Sequence, residues 1–172
     1  MNADDVIRAL DLSPLPWEGG WYRETWRSKA NIPGPELGDQ YDGERSAGTA
    51  IYYVLTTDTL SRMHRLPSDE TFHFYLGDPV EMLLLHPDST NSEIITFGQD
   101  IFGGDHVQYT ILGNTWMGGR LKRDAAVPDA VEFALMGTTV SPGFDFADLE
   151  MGTFDDLAVQ HPDRKDLIKA LS

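Results

Sequence analysis

From Thr49 onward the chain is cut into short runs of β-branched, aliphatic and aromatic residues, with turn chemistry between them. The runs are Thr49–Leu55, Ser61–Leu66, Thr71–Leu76, Val80–Leu85, Glu93–Phe97, Val107–Ile111, Trp116–Leu121 and Val131–Val140. Between them stand Gly77-Asp-Pro, His86-Pro-Asp-Ser, Phe102-Gly-Gly-Asp and Leu112-Gly-Asn. These residues supply positive φ, a fixed φ or a side chain that caps its own backbone, which is what reversals need. A further run, Trp21 to Arg27, alternates Tyr22, Glu24 and Trp26 with Trp21, Arg23, Thr25 and Arg27. Short strands at such spacing predict an all-β antiparallel sandwich or small barrel, not βαβ units.

The ends read differently. Asn2 is placed to cap a helix over Ala3–Leu10, with Asp4 and Asp5 at its positive end and Val6, Ile7 and Leu10 for a core. Leu12-Ser-Pro-Leu-Pro then stops it. Ser28 to Gly48, rich in Gly, Pro and charge, reads as a long loop and as the most mobile segment. Pro162–Leu171 reads as a short surface helix with Leu167, Ile168 and Leu171 as its apolar stripe. At 172 residues, with no internal repeat and no dividing linker, the chain is most simply one domain, 1–172.

Charge narrows the partners. Thirteen Lys and Arg against 28 Asp and Glu give a net charge of −15, which repels phosphate backbones and anionic lipid. Neither nucleic acid nor a membrane is an expected partner. With no cysteine, thiol nucleophiles, disulfides and Cys-ligated zinc are excluded. The longest apolar run, Met82–Leu85, cannot span a bilayer. The acidic start M-N-A-D-D-V-I-R has no signal-peptide core, so a cytoplasmic location is expected.

The chemistry concentrates in S-R-M-H-R-L-P-S-D-E-T-F-H-F-Y-L-G, Ser61 to Gly77. His64 stands six residues before Glu70, and Glu70 seven before Gly77. A His and a Glu on adjacent strands can exchange protons or ligate Fe, Mn, Ni or Zn, and a Gly can close the hairpin after them. The plain alternative is a satisfied barrel histidine and a solvent-facing carboxylate. The spacing resembles the first cupin motif, G-x5-H-x-H-x(3,4)-E-x6-G, with one ligand missing.

Four strings carry a wider resemblance: W-E-G-G-W-Y-R-E-T-W-R-S, T-A-I-Y-Y-V-L, H-R-L-P-S-D-E-T-F-H-F-Y-L-G-D-P-V-E-M-L-L-L and V-S-P-G-F-D-F-A-D-L-E. Together they span roughly Trp17 to Glu150 and resemble an uncharacterised cupin subfamily often compared with the dTDP-4-dehydrorhamnose 3,5-epimerase-like cupins. The resemblance implies a double-stranded β-helix jelly roll, a homodimer formed by edge-strand exchange, and a small-ligand cavity in the barrel. It implies no settled reaction. It also shows departures. Leu66 stands where the second His would be, and in the second motif Trp116 stands for the His and Arg120 for the Asn. A metal held by His64 and Glu70 alone would be weak, because catalytic sites normally use three protein ligands. His73 lies at odd offset from Glu70 and would face the other side of a regular strand. A tightly bound divalent metal is therefore not the expectation, and the cofactor is left open.

A metal-free pocket keeps its own candidates. His64 is a candidate base near neutral pH, with Glu70 to orient it and His73 beside them. Tyr53 and Tyr75 are candidate acids, or packing residues with hydroxyls satisfied at the rim. Arg23, Arg62 and Arg120 are candidate clamps for a carboxylate or phosphate, and Trp116 an aromatic face for a flat or sugar ligand. The functions in view are an isomerase- or epimerase-like enzyme, a metal-dependent cupin enzyme, and a non-catalytic small-ligand binder. Asp145, within S-P-G-F-D-F-A-D-L-E, could point into a pocket, although Phe144 and Phe146 packing on the barrel mouth is the simpler reading. Asp155-Asp156 lacks a calcium-loop pattern and reads as a helix start.

Overall fold

The structure is a computed structural model and describes residues 1–87, 91–122 and 131–172. The Asp88-Ser89 half of the expected turn at His86 lies outside them. In chain order the elements are α1 (Ala3–Ala9), β1 (Ser13–Pro14), β2 (Trp21–Arg27), β3 (Asn31–Ile32), α2 (Gly34–Leu37), β4 (Arg45–Ser46) and β5 (Thr49–Thr56). There follow β6 (Ser61–Arg65), β7 (Asp69–Gly77), β8 (Val80–Leu85), β9 (Ser92–Phe97), β10 (Gln108–Ile111), β11 (Trp116–Leu121) and β12 (Phe133–Ser141). β13 (Glu150–Met151), α3 (Phe154–Gln160) and α4 (Lys165–Ala170) close the chain.

Two antiparallel sheets face each other, one ordered β1-β2-β5-β12-β7-β10 and the other β13-β6-β11-β8-β9. This is the jelly-roll arrangement of an all-β protein. Period-two alternation sorts the side chains. Tyr53, Leu55, Phe72, Phe74, Met82, Leu84, Met117 and Met136 point between the sheets and form the main core. The alternate residues face outward, and both outer faces are covered by helix. Val6 of α1 packs on Val54 and Phe133 outside the first sheet, while Leu157, Ile168 and Leu171 of the C-terminal helices cover Met63, Leu83 and Leu85 outside the second.

The capped N-terminal helix is present, with a reciprocal pair of bonds between Asn2 and Asp5. The C-terminal stripe is also present, but it is more than surface decoration, since Ile168 and Leu171 are fully buried. Residues 28–48 depart from a plain loop. β3 pairs with β4, and the side chain of Arg45 is 6 % exposed and ion-paired to Asp148, which ties the segment down. Among the described residues no helix is long and apolar enough to cross a membrane.

Gly77 shows why the turn after β7 requires glycine, although that turn closes no hairpin and instead carries the chain from the first sheet to β8 in the second. Its φ is +110°, and a Cβ there would press into the Phe133 carbonyl of the adjacent strand. Gly77→Ala combines backbone strain with that clash. It is expected to lower unfolding free energy by more than about 2 kcal/mol in denaturant titrations.

Candidate functional site

A cavity of about 240 Å³ opens between the sheets at one end of the barrel. β5 contributes Ile51 and Tyr53 to its wall, β12 contributes Thr138 and Val140, β7 contributes Glu70 and Phe72, and β6 contributes His64. Each pair sits two residues apart on its strand, so the alternation that builds the core also points these groups inward. Glu18 enters from the turn before β2, and Phe144, Asp145 and Phe146 line the cavity from the segment after β12.

The polar groups are wired in a definite order. His64 is 1 % exposed. Its Nδ1 lies 2.7 Å from the Arg62 carbonyl oxygen, which can only accept, so the proton is assigned to Nδ1. The other nitrogen, Nε2, is thereby left as the lone-pair side in the neutral ring, 3.8 Å from Glu18 Oε2. The second oxygen of Glu18 accepts from Ser61 Oγ at 3.0 Å. Tyr53 donates its hydroxyl to the Gly19 carbonyl at 2.9 Å and so pins the turn that carries Glu18. Positive φ at Gly19 and Gly20 shapes that turn, and a Cβ on Gly20 would strike the Tyr53 ring.

Glu70 differs from its neighbours. It is 6 % exposed, and its Oε2 is buried with no hydrogen-bond partner. Loss of hydration pushes its carboxyl up to about 7; the nearby charge of His64 opposes this and that of Glu18 reinforces it. Burial first, then Glu18, also pushes the Tyr53 phenol well above its ordinary value, so Tyr53 stays a neutral hydroxyl. The site thus holds one imidazole with a free lone pair and one carboxyl poised to carry a proton near neutrality.

At the mouth, Arg27 makes a two-pronged bond to Glu24, Nε to Oε1 at 3.0 Å and Nη2 to Oε2 at 2.7 Å, and also donates to the Phe144 carbonyl. Phe144 and Phe146 meet edge to face, and Phe146 meets Trp17 in the same way. The segment after Phe146 is held by Arg45, which pairs with Asp148 through Nε at 2.7 Å and Nη2 at 2.6 Å, both side chains being nearly buried.

Of the candidates read from sequence, His64, Glu70 and Tyr53 come together on the cavity wall, and Asp145 lines it. The others do not join them. His73 lies on the outer side of β7 and bonds Thr139 Oγ1. Tyr75, 45 % exposed, meets Tyr52 edge to face, and Arg23 lies over that same Tyr52 ring. Trp116 precedes the inward-facing Met117 by one residue, so it packs outside the second sheet with Arg65 over its ring. Arg120 is held by Glu81 at 2.6 Å, and Arg62 donates to the Trp17 carbonyl. The second-motif match at Trp116 and Arg120 therefore places neither residue on the cavity.

Glu18, Glu24, Arg27 and Thr138 went unread. Arg27 was hidden because the β2–β5 register shifts between Glu24 and Trp26, a bulge that brings Arg27 to the side of Glu24. The two glycines after Glu18 were the available signal that its backbone turns back on the barrel.

Residues 4–152 match the family described as "Cupin superfamily (DUF985)". The chain belongs to the cupin superfamily. A hypothetical protein from Leishmania major is 29 % identical to this cupin, over 100 % of this chain and 99 % of that one, with a TM-score of 0.88. A crystal structure of a Shewanella oneidensis protein is likewise 29 % identical, over 100 % and 98 %, with a TM-score of 0.84. An oxalate decarboxylase from Bacillus subtilis is 13 % identical with a TM-score of 0.51; this cupin covers only 37 % of its length, so the likeness is one of fold. No curated protein matches the cupin's sequence.

Cupin barrels commonly hold a metal among clustered imidazoles, and the donors here do not fit one. His64 is the only imidazole lining the cavity among the described residues, and its Nδ1 is taken by the Arg62 carbonyl. Among those residues no group of three or more His, Asp or Glu is arranged to hold a metal ion.

The buried carboxyl has a consequence for stability. Unfolded, Glu70 loses its proton near 4.5, and folded it keeps it to about 7. Between those values the native state binds the extra proton, so stability falls as pH rises, by about 3 kcal/mol in total at about 1.36 kcal/mol per pH unit. Glu70→Gln removes that loss. Its melting temperature is expected to exceed that of the parent at mildly alkaline pH, with the difference shrinking toward pH 4 in scans across the range.

Proposed function

We propose that this cupin is a small-molecule enzyme of the isomerase or epimerase type, using proton transfer by His64 and Glu70 inside the barrel. The observation that carries the reading is the buried Glu70 carboxyl, its Oε2 unpartnered and its proton held to about 7, in the same cavity as an imidazole whose Nε2 is left as a lone pair. A carboxyl that keeps its proton to near neutrality, facing a ring nitrogen with a lone pair, supplies the acid and the base that paired proton transfer requires.

In this reading His64 Nε2 removes a proton from a carbon next to a carbonyl. The electron pair moves onto the carbonyl oxygen, and protonated Glu70 donates to that oxygen. Return of that proton from His64 to the neighbouring carbon gives the isomer, and return to the same carbon after the enol has turned over in the cavity gives the epimer; the Glu70 proton comes back as the carbonyl re-forms. Glu18 faces Nε2 at 3.8 Å and stabilises the imidazolium that forms in between. Tyr53 positions Glu18 through the Gly19 turn and does not itself transfer the proton. The likeness to epimerase-like cupins noted from sequence supports the reaction type, while the donor set supports a mechanism without metal.

The test is proton exchange at carbon. A panel of small carbonyl compounds incubated with the protein in D2O should include one whose α-proton exchanges, followed by NMR. His64→Asn should slow that exchange by about 10²–10⁴-fold, the range of a general base. Exchange that proceeds undiminished in His64→Asn would remove His64 as the base.

A further inference from the structure

The charges on the cavity wall are unbalanced. Acidic side chains of Glu18, Glu24, Glu70 and Asp145 line it, Glu70 ionising only near and above neutral pH, against one guanidinium, Arg27, and the imidazole of His64. Arg27 offers an anion little, since its charge is matched by Glu24, which takes Nε and Nη2, and the Phe144 carbonyl takes a further N–H of Nη2. Deeper in, Glu70 is shielded from water and its Oε2 lacks any hydrogen-bond donor. A buried oxygen without a donor is a costly feature, and a ligand bearing N–H groups is the natural remedy. An anion brought here would add charge of the same sign where little water is left to screen it.

The remaining walls are apolar or aromatic, from Ile51, Phe72 and Val140 to Phe144 and Phe146 at the mouth. Such walls suit an apolar body, and aromatic faces also attract a cation. At about 240 Å³ the cavity is smaller than the ~300–1,000 Å³ of pockets that enclose drug-sized ligands, so the group it encloses is small. The net charge of −15 works in the same sense, drawing cations toward the mouth and turning anions away.

We infer that the cavity takes a small compound carrying an ammonium group on an apolar body, with the ammonium placed against Glu18 and against Glu70 in its ionised form. The inference rests on the wall's own charges and stands without the proton-transfer reading above, which uses Glu70 in its protonated form at and below neutral pH. This reverses the expectation, drawn from arginines in the sequence, of a clamped carboxylate or phosphate.

Three probes of matched shape and different charge test it: benzylamine, benzyl alcohol and benzoate. Calorimetric titration of the full chain at fixed ionic strength and mildly alkaline pH should show benzylamine binding at least tenfold tighter than benzyl alcohol, with benzoate not bound. Glu70→Gln should weaken benzylamine at least tenfold and leave benzyl alcohol unchanged, which separates cavity binding from attraction to an acidic surface. Benzoate binding as tightly as benzylamine, benzylamine affinity indifferent to Glu70→Gln, or no benzylamine binding at millimolar concentration would each overturn the inference. The same titration on His64→Asn keeps the two readings apart: retained benzylamine binding with no carbon exchange in any protein removes the proposed reaction and leaves the ligand class standing.

Discussion

The long antiparallel ladder of β12, flanked by β5 on one side and β7 on the other, is the constraint on which the rest depends. Its register pairs Val140 with both Thr49 and Glu70, and Thr138 with both Ile51 and Phe72. Those six residues line one wall of the cavity. A slip of one residue would turn Glu70 and Phe72 outward and bring Thr71 and His73 in. The hydrophobic face of this sheet and the candidate site are therefore specified by the same register. A bulge between Leu135 and Met136 then lets Tyr75 lie outside, next to Tyr52, and turns Leu76 to the face covered by α1.

With the register set, the chemistry follows from burial. Glu70 is carried into the barrel by a strand whose apolar neighbours hold it there, and the fold supplies it with one unsatisfied oxygen. Protonation relieves most of the cost of burying the charge. Such an arrangement costs stability at neutral and higher pH, and a carboxyl that can be a proton donor near neutrality is what that cost sustains. The turn at Glu18 and the Arg45–Asp148 pair hold the two open sides of the cavity, one beside His64 and the other beneath the aromatic residues of the mouth.

Much of the fold was legible because it rests on local rules. Alternating runs gave strands close to their observed limits, and Asn2 gave the helix cap; His64 and Glu70 do meet in one cavity, but from β6 and β7 on opposite sheets and not from paired strands of a hairpin. What escaped depends on departures from those rules. The bulge at Thr25 breaks the alternation of β2 and hides Arg27, and the Glu18 turn depends on backbone conformations at Trp17, Gly19 and Gly20 that alternation does not describe. Trp116 and Arg120 matched a motif by spacing, yet their faces are set by the pairing of β11 with β8 and β6, a long-range register that spacing does not encode. Arg45 was read as part of a loop because its partner, Asp148, lies 103 residues away.

The central claim is that Glu70 sits uncharged in the cavity up to neutral pH. The direct measurement is a ¹³C NMR titration of the glutamate side-chain carboxyls, with Glu70 assigned by its absence in Glu70→Gln. The account predicts a Glu70 midpoint near 7. A midpoint near 4.5, the value of an unperturbed carboxyl, would contradict it and with it the assignment of Glu70 as the proton donor.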